Sequence, residues 1–475
     1  MGEGTGVKPE VTEGPATWAD LLADGRLPRF VLICLGVWLN AADGLVTATI
    51  MPSVGRELGG FGYFSWATAG YFVGAILAGA SAGRLSELFG LRRATAVAGL
   101  VMTAGCVLSA AAPDVGLFLT GRLIQGLGSG WVSGFAMVAI ALMFPERHLA
   151  RVFASVSGVW GIALFLGPLF GGALAQSGDW RLVFWIFAAQ ALAFSAAAPV
   201  LLKGGEKPTG GPGVPWLQLV VLGLAIGAVA VADLVPSALG SAALILAGLA
   251  ILVLLVRLDG RARIRLLPHR AGDLRTVCGS GYASMFALTA ASMAFVIYEP
   301  PILQVLAGLS PLWAGYVGAA DTLGWTVAAF AVASVSGLWD ARWVRIGAVT
   351  VLISLAALMW ASPKPDLAWV VAGGVLLGCA FGWSWSFMGR RVLAALAEED
   401  RAIGSSAITA VRQSGAAVGS AISGAAANLA GFSEGLTPQA ARASAFWVFA
   451  AVLPLAVAGV WAAFRLTGRA ETARA

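Results

Sequence analysis

The stretch Ala238-Leu-Gly-Ser-Ala-Ala-Leu-Ile-Leu-Ala-Gly-Leu-Ala-Ile-Leu-Val-Leu-Leu-Val256 contains no charged side chain over 19 residues. As an α-helix rising about 1.5 Å per residue, it is long enough to cross a hydrocarbon core of roughly 30 Å. Thirteen other apolar stretches fill most of the remaining chain. We therefore predict an all-α integral membrane protein with 14 transmembrane helices, at residues 30–51, 63–82, 94–112, 116–144, 150–176, 182–202, 216–235, 238–256, 277–303, 312–336, 344–361, 367–389, 403–430 and 444–464.

The positive charges lie in every second gap between these stretches. Of the 30 Lys and Arg residues, 24 fall in the segments that share a side with the N-terminus. Four fall in the opposite loops, namely Arg56, Arg181, Lys364 and Arg442. By the positive-inside rule, both termini are expected in the cytoplasm. The excess of Arg over Lys, with abundant Ala and Gly, indicates a high-GC bacterial source and hence the bacterial cytoplasmic (inner) membrane.

Two polar segments, 203–215 and 257–275, divide the apolar stretches into six, two and six. The predicted organisation is a cytoplasmic N-terminal segment (1–29), a six-helix half (30–202), linkers with two additional helices (203–275), a second six-helix half (276–464) and a cytoplasmic tail (465–475). Two six-helix halves are typical of transporters built from repeats, in which the substrate path runs between the halves near the bilayer midplane.

The composition argues against several other classes of protein. The mean hydropathy is +0.85 and 59% of residues are hydrophobic, so the net charge of +6 is assigned to membrane orientation and anionic lipid contact, with no nucleic-acid partner. The four cysteines form no C-x-x-C pair, and no nucleotide-binding G-x-x-x-x-G-K-[ST] motif occurs. We expect no metal, no cofactor and no enzymatic activity, and a protein that acts as a monomer.

The loop after the second stretch reads Gly83-Arg-Leu-Ser-Glu87-Leu-Phe-Gly90-Leu-Arg92-Arg93. It resembles the G-x-L-x-D-R-x-G-R-R signature of the major facilitator superfamily, with Glu87 in the place of Asp and leucines at two basic positions. In that family, this compact charged turn latches helices together on the cytoplasmic side.

Four further motifs occur in the expected order. Asp43 and Pro52 are spaced as in the first span of the fourteen-span drug:proton antiporters, and Arg122-Leu-Ile-Gln125-Gly126-Leu-Gly128 is similar to their R-x-x-Q-G-x-G. Gly167-Pro168-Leu-Phe-Gly171-Gly172 is similar to the G-P-x-x-G-G motif associated with antiporters, and Arg412-Gln413-Ser-Gly415 is also familiar in the family. The resemblance implies multidrug efflux. Small residues alone would, however, also let helices approach closely.

Apart from Arg151 and Arg345, which stand at stretch ends and are counted with the cytoplasmic segments, the ionisable residues within the stretches are Asp43, Arg122, Asp233, Glu299, Asp321 and Arg412. Each costs about 2.5–3.5 kcal/mol at the centre of a spanning helix, and so requires an explanation. We predict that Asp43, Arg122, Asp321 and Glu299 couple protons. Asp43, Arg122 and Asp321 lie at similar depths and could meet in a central cavity.

For Asp43 and Arg122, the alternative is a structural bond that holds neighbouring helices together. For Glu299 and Asp233, the alternative is a solvated carboxylate at the membrane interface that has no role in transport. Their positions near the outer ends of the stretches favour this alternative. A carboxylate that alternates between an arginine and an apolar cavity could release and load a proton. Both histidines lie in predicted loops, so no histidine relay is expected.

Polar and aromatic residues are candidates for the walls of the substrate cavity. They are Trp38, Asn40, Gln125, Trp160, Tyr298, Trp325, Trp383 and Trp385. Their rings could stack on a planar or cationic solute, although most of the 18 Trp residues are better explained as interfacial anchors or packing.

These observations predict a proton-coupled exporter of hydrophobic, cationic or amphipathic small molecules. The alternative is a dedicated exporter of one metabolite, lipid, siderophore or antibiotic, with the same fold but a different cavity. The partners in either case are the small-molecule substrate, protons and the lipid bilayer.

Overall fold

The computed structural model describes residues 26–64, 66–144, 146–202, 214–232, 235, 237–332, 339–397, 400–435 and 437–472. Within these ranges the chain is helical, with 15 α-helices and two short 3-10 turns. The helices are α1 (Arg26–Leu58), α2 (Trp66–Phe89), α3 (Leu91–Ala111), α4 (Val115–Met143), α5 (Glu146–Gln176), α6 (Arg181–Leu201), α7 (Trp216–Val231), α8 (Ala238–Asp259), α9 (Val277–Leu306), α10 (Pro311–Gly318), α11 (Ala320–Ala331), α12 (Asp340–Ala361), α13 (Leu367–Ala394), α14 (Arg401–Leu429) and α15 (Pro438–Thr472).

Ten regions of the described helices are long and apolar enough to cross a membrane. Each predicted stretch overlaps a helix, but the tenth prediction, a single helix over 312–336, is wrong. Two helices occupy this region, because Ala319 has a ψ of 0° where a regular helix needs about −42°. Thr322 then donates its amide to the Ala319 carbonyl, which tightens the turn between α10 and α11.

The helices pack in a pattern that occurs twice. Helix α2 packs on α4, α3 on α4 and α6, and α1 on α5. The same pairings recur eight or nine helices later, where α11 packs on α13, α12 on α13 and α15, and α9 on α14. Contacts between the two sets run mainly through α2 with α14 and through α5 with α10. Helices α7 and α8 pack on each other beside α2 and α14.

Glycines set the closest of these helix contacts. A methyl group on Gly126 of α4 would overlap the Tyr71 carbonyl oxygen of α2. At the equivalent place in the second set, a methyl group on Gly378 of α13 would overlap the Asp321 carbonyl oxygen of α11. Both contacts are backbone against backbone, so these helix pairs tolerate no side chain at the contact point.

Two opposite faces of the molecule differ in charge. We call the face formed by the connections α1–α2, α3–α4, α5–α6, α9–α10, α12–α13 and α14–α15 the Arg-poor face, and the opposite one the Arg-rich face. On the Arg-poor face, an aromatic cluster of Phe61, Phe64, Tyr298 and Phe432 joins the two helix sets, with ring centroids 5.3–6.4 Å apart. Asn428 also donates a 2.6 Å hydrogen bond to the Gly62 carbonyl. The two sets are therefore closed against each other on the Arg-poor face.

A second polar contact on this face supports the first helix set. Glu57 accepts hydrogen bonds from the Trp180 indole at 2.6 Å and from Arg181 at 2.9 Å. Arg181 also donates to the carbonyls of Ala110 and Ala112. These bonds from Trp180 and Arg181 lower the pKa of Glu57 below its ordinary value.

We expect Glu57→Gln to lower the melting temperature at pH 7. Because the folded-state pKa is depressed, the stabilisation is present above the unfolded value of about 4.3 and is lost as pH falls through the folded pKa. The difference in melting temperature between wild type and variant should therefore narrow below about pH 4. Melting curves of the purified wild-type and variant proteins at several pH values measure this difference in melting temperature. A gap that stays constant with pH would contradict this account.

Candidate functional site

A buried ion pair joins α1 to α4. Asp43 is 0% and Arg122 1% exposed. The two guanidinium NH groups of Arg122 donate to the two carboxylate oxygens of Asp43 at 2.8 and 2.9 Å. This two-point geometry is the strongest form that an arginine–carboxylate pair takes. The sequence prediction that these two charges meet inside the protein agrees with the structure.

Every side-chain nitrogen and oxygen of the pair has a hydrogen-bond partner. Gln125, one turn after Arg122, donates to Asp43 at 2.6 Å and accepts from Arg122 at 2.9 Å. The Arg122 Nε donates to the Ala67 carbonyl at 3.1 Å, which ties the pair to the start of α2. Residues three apart share one helix face, so the R-x-x-Q-G sequence presents Arg122 and Gln125 to α1 while Gly126 lets α2 approach.

A second hydrogen-bonded group extends this site. The Tyr71 hydroxyl donates to Ser129 at 2.6 Å, and Asn40 donates to Ser129 at 2.8 Å and to Tyr71 at 3.2 Å. The Tyr71 ring lies 4.7 Å from the Arg122 guanidinium carbon, a cation–π distance. Asn40 was predicted as part of a site. Tyr71 and Ser129 were not predicted, because a neutral polar residue within an apolar stretch does not by itself indicate a functional site.

Separating this ion pair is costly. Removing one partner of a buried ion pair costs about 3–5 kcal/mol, because the other charge is left uncompensated. The pair therefore holds α1 against α4 unless another group or water compensates both charges.

Asp321 does not join this site in the structure. The predicted meeting of Asp43, Arg122 and Asp321 is wrong for this conformation, because Asp321 lies on α11, whose backbone is held against α13 at Gly378. Asp321 is half-buried and accepts a hydrogen bond from Thr322 at 3.0 Å. It therefore belongs to the second helix set.

Glu299 lies deep in the protein, and the solvated, interfacial position favoured for it is wrong. It is 0% exposed, because α9 is covered by α14, α15, α10 and α12. One carboxyl oxygen accepts a 2.8 Å hydrogen bond from Ser362 at the end of α12. The other oxygen has no hydrogen-bond partner among the described residues. Asp233, which shared this prediction, lies outside the described residues.

The predicted aromatic residues do not form one cavity wall. Trp38 donates to Gln190 of α6 at 2.9 Å and lines an apolar cavity of about 50 Å³ between α1, α5 and α6. Trp325 stacks on Phe381 at 5.3 Å, with Trp385 at 5.7 Å, in the second set. The others are separate: Trp383 packs on Trp343, Tyr298 belongs to the aromatic cluster, and the Trp160 side chain is outside the described part.

The motif residues at α2–α3 and α5 have different structural roles. Gly90 has a φ of 78°, which favours glycine, and precedes α3, on which Arg92 and Arg93 are exposed. Gly83 lies within α2, and the side chains of Arg84 and Glu87 lie outside the described part.

The second of these motifs, on α5, is a packing surface. A methyl group on Gly167 would lie 2.8 Å from the Leu45 side chain of α1, and Gly171 faces Val46. Pro168 lies against Gly315 of α10, and Gly172 against Leu312. The G-P-x-x-G-G stretch therefore joins α5 to α1 and to α10 of the other set. Arg412, on α14, is half-buried and has no ion pair or hydrogen bond among the residues that the structure describes.

A helical membrane protein with two similarly packed helix sets and a buried ion pair in one of them has the architecture of a secondary transporter. A model described as "Major Facilitator Superfamily" matches residues 33–219. Over 97% of its length the chain is 30% identical to a probable multidrug-efflux transporter of Mycobacterium tuberculosis, covering 98% of that protein. The chain belongs to the major facilitator superfamily and is a membrane transporter, not an enzyme.

Solved structures agree on the fold. A peptide transporter of the POT family in complex with sulfate superimposes with a TM-score of 0.65 at 16% identity, covering 93% of this chain and 95% of the other. A D-xylose–proton symporter superimposes with a TM-score of 0.61 at 18% identity, covering 93% and 97%. At these identities the likeness concerns the fold alone.

Proposed function

We propose that the protein is a proton-coupled antiporter that exports hydrophobic, cationic or amphipathic small molecules from a bacterial cell. The observation that carries the proposal is the buried, fully hydrogen-bonded Asp43–Arg122 pair. The similarity to a probable multidrug-efflux transporter over nearly the whole chain supports it. The antiporter-type motif on α5 supports the direction of transport.

The proposed topology places the Arg-rich face and both termini in the cytoplasm. It has 14 membrane crossings arranged as six, two and six, with α10 and α11 together forming one crossing. On this assignment, the closed Arg-poor face is the outer face, and the described conformation faces inward. The substrate would enter between the halves from the cytoplasm or the inner leaflet.

The proposed cycle uses Asp43 as the coupling carboxylate. Opening of the outer face separates Asp43 from Arg122, and the free carboxylate takes up a proton from outside. Closing that face carries the proton inward, and renewed pairing with Arg122 favours its release to the cytoplasm. One proton crossing 100 mV provides about 2.3 kcal/mol for export.

A narrower specificity is the second candidate. The Trp325–Phe381–Trp385 stack lies on α11 and α13, and Asp321 is on α11. A carboxylate and stacked rings on the same pair of helices favour one planar cation over a wide range of drugs. A dedicated metabolite exporter would show uptake of few members of a chemical panel.

The test is transport into everted membrane vesicles that contain the protein. An inside-acid pH gradient is imposed, and uptake of a fluorescent lipophilic cation is followed with and without a protonophore. We expect gradient-dependent uptake that the protonophore abolishes and that vesicles lacking the protein do not show. Absence of uptake for a varied panel of cations, with the protein shown to be folded, would exclude multidrug efflux.

The effect of replacing Glu299 can be predicted separately for stability and for transport. Its burial with a single hydroxyl partner makes the ionised form costly in this conformation. We therefore expect the neutral isostere in Glu299→Gln to leave the melting temperature within about 2 °C of wild type. If Glu299 binds a coupling proton, the same variant should lose gradient-driven uptake by about tenfold or more.

Ser362→Ala is the matched control, since it removes the hydrogen bond to Glu299 and keeps the carboxyl group. It should retain most uptake. Full uptake by Glu299→Gln would limit Glu299 to a structural role.

A further inference from the structure

The connection from α8 to α9 separates its acidic from its basic side chains. Residues 257–275 contain six Arg and two Asp. Asp259 is 1% exposed and accepts the amides of Leu266 and Leu267 at 2.7 and 2.9 Å. Gln218 of α7 donates to the Ile264 carbonyl at 2.8 Å, which holds the same loop against α7. The Asp259 carboxylate is therefore used inside the loop.

The other two acidic groups near this loop are used in the same way. Asp400, before α14, accepts the His269 amide at 2.7 Å and an Arg265 NH at 3.4 Å. Asp273 pairs with Arg270 at 2.8 Å and accepts the Arg275 amide at 2.8 Å. Together these bonds fix the loop to α7 and to the second helix set.

Several arginines of the loop have no such partner. The side chains of Arg257, Arg261 and Arg263 are exposed, with no ion pair or hydrogen bond among the described residues. Arg257 and Arg261 line a cavity of about 350 Å³, together with Arg270, His269 and the two acids Asp259 and Asp273. The acids that line the cavity are therefore already hydrogen-bonded within the loop, whereas Arg257 and Arg261 keep their side-chain donors available to a ligand.

An exposed apolar surface leads to this cavity. Helix α8 presents Leu246, Leu254 and Leu258 outward, and they are 66%, 50% and 37% exposed. Leu254 and Leu258 lie on the last turns of α8, each three residues before one of the arginines, with Arg257 in the last turn and Arg261 two residues after the helix end. An apolar strip that ends at two arginines matches the two parts of a phospholipid, its acyl chains and its phosphate.

We propose that Arg257, in the last turn of α8, and Arg261, just after that helix, bind the phosphate of an anionic phospholipid whose acyl chains lie along α8. Arginine suits this role because its planar guanidinium donates two hydrogen bonds to phosphate and stays charged. A basic residue at a membrane surface contributes about fivefold to the affinity for anionic lipid. The α7–α8 pair then provides a lipid site beside the two six-helix sets, a role that does not depend on drug efflux.

The test is a lipid titration of the purified full-length protein followed by native mass spectrometry, with phosphatidylglycerol and phosphatidylcholine. We expect a preference for phosphatidylglycerol and a loss of about 25-fold in its affinity in Arg257→Ala/Arg261→Ala. The charge-matched control is Arg92→Ala/Arg93→Ala, which removes two exposed arginines of α3 and should change the affinity less than about twofold. Arg257→Lys/Arg261→Lys keeps the charge and tests the two-point geometry, with an intermediate loss expected.

Three results would overturn the proposal. Equal losses in the two alanine variants would show that general surface charge attracts the lipid. Equal binding of phosphatidylcholine would remove the role of headgroup charge. Glycerophosphoglycerol, the headgroup without acyl chains, binding as tightly as the lipid would make the cavity a site for soluble phosphate esters.

Discussion

We expect Asp43→Asn to reduce proton-driven uptake into everted vesicles by about 100-fold. An asparagine cannot bind and release a proton, so a cycle that depends on this exchange stops. The variant also leaves the Arg122 guanidinium buried without a counter-charge, at a cost of about 3–5 kcal/mol. A loss of transport alone would therefore not separate coupling from stability, and melting temperature is measured on the same preparations.

A double variant distinguishes a role of the pair in proton coupling from a role in stability. Asp43→Asn/Arg122→Gln removes both charges, so no buried charge is left unpaired, and we expect it to recover much of the stability lost in either single variant. Its transport should remain as low as that of Asp43→Asn. Recovery of uptake together with stability would show that the pair is structural. Wild-type uptake in Asp43→Asn would move the coupling site to Asp321 or Glu299.

The second large effect concerns the α11–α13 contact. We expect Gly378→Val to prevent accumulation of folded protein, because the side chain would occupy the position of the Asp321 carbonyl oxygen. The backbone of α11 cannot move aside as a flexible side chain can. The loss in free energy of unfolding should therefore exceed about 4 kcal/mol. Size-exclusion chromatography of a fluorescent fusion measures the folded fraction directly in membrane extracts.

Gly389→Val is the matched control on the same helix, since a Cβ there meets no atom within 4 Å. It should give a monodisperse peak near the wild-type yield, because valine fits this open position and has a higher helix propensity than glycine. A normal peak and melting temperature for Gly378→Val would mean that α11 and α13 are further apart than described.

Hydropathy predicted most of the helices because a membrane-spanning helix must be apolar over a fixed length. The break at Ala319 could not be predicted this way, since it is a local change of ψ within an apolar run. Asp43 and Arg122 were found because charges inside apolar stretches are costly and opposite charges attract. The partner of each charged residue, by contrast, depends on which helices are neighbours in the fold, and hydropathy does not predict this.

Glu299 illustrates this limit. Its place beside Pro300 near the end of an apolar stretch favoured a solvated position, yet α9 continues to Leu306 and is surrounded by other helices. Its hydrogen-bond partner Ser362 is 63 residues away in the chain. The aromatic residues were ambiguous for a similar reason, because tryptophan suits helix packing, lipid contact and ligand stacking equally.

The aromatic cluster on the Arg-poor face has an electrical consequence. Its rings, together with the 2.6 Å bond from Asn428 to the Gly62 carbonyl, join the described loops of the two helix sets through mainly apolar groups, which oppose the passage of a hydrated ion. In this conformation the protein should conduct no ions across the membrane. Cells that make many copies would then keep their membrane potential when no substrate is present. Liposomes with the wild-type protein should then hold an imposed potassium diffusion potential as long as empty ones.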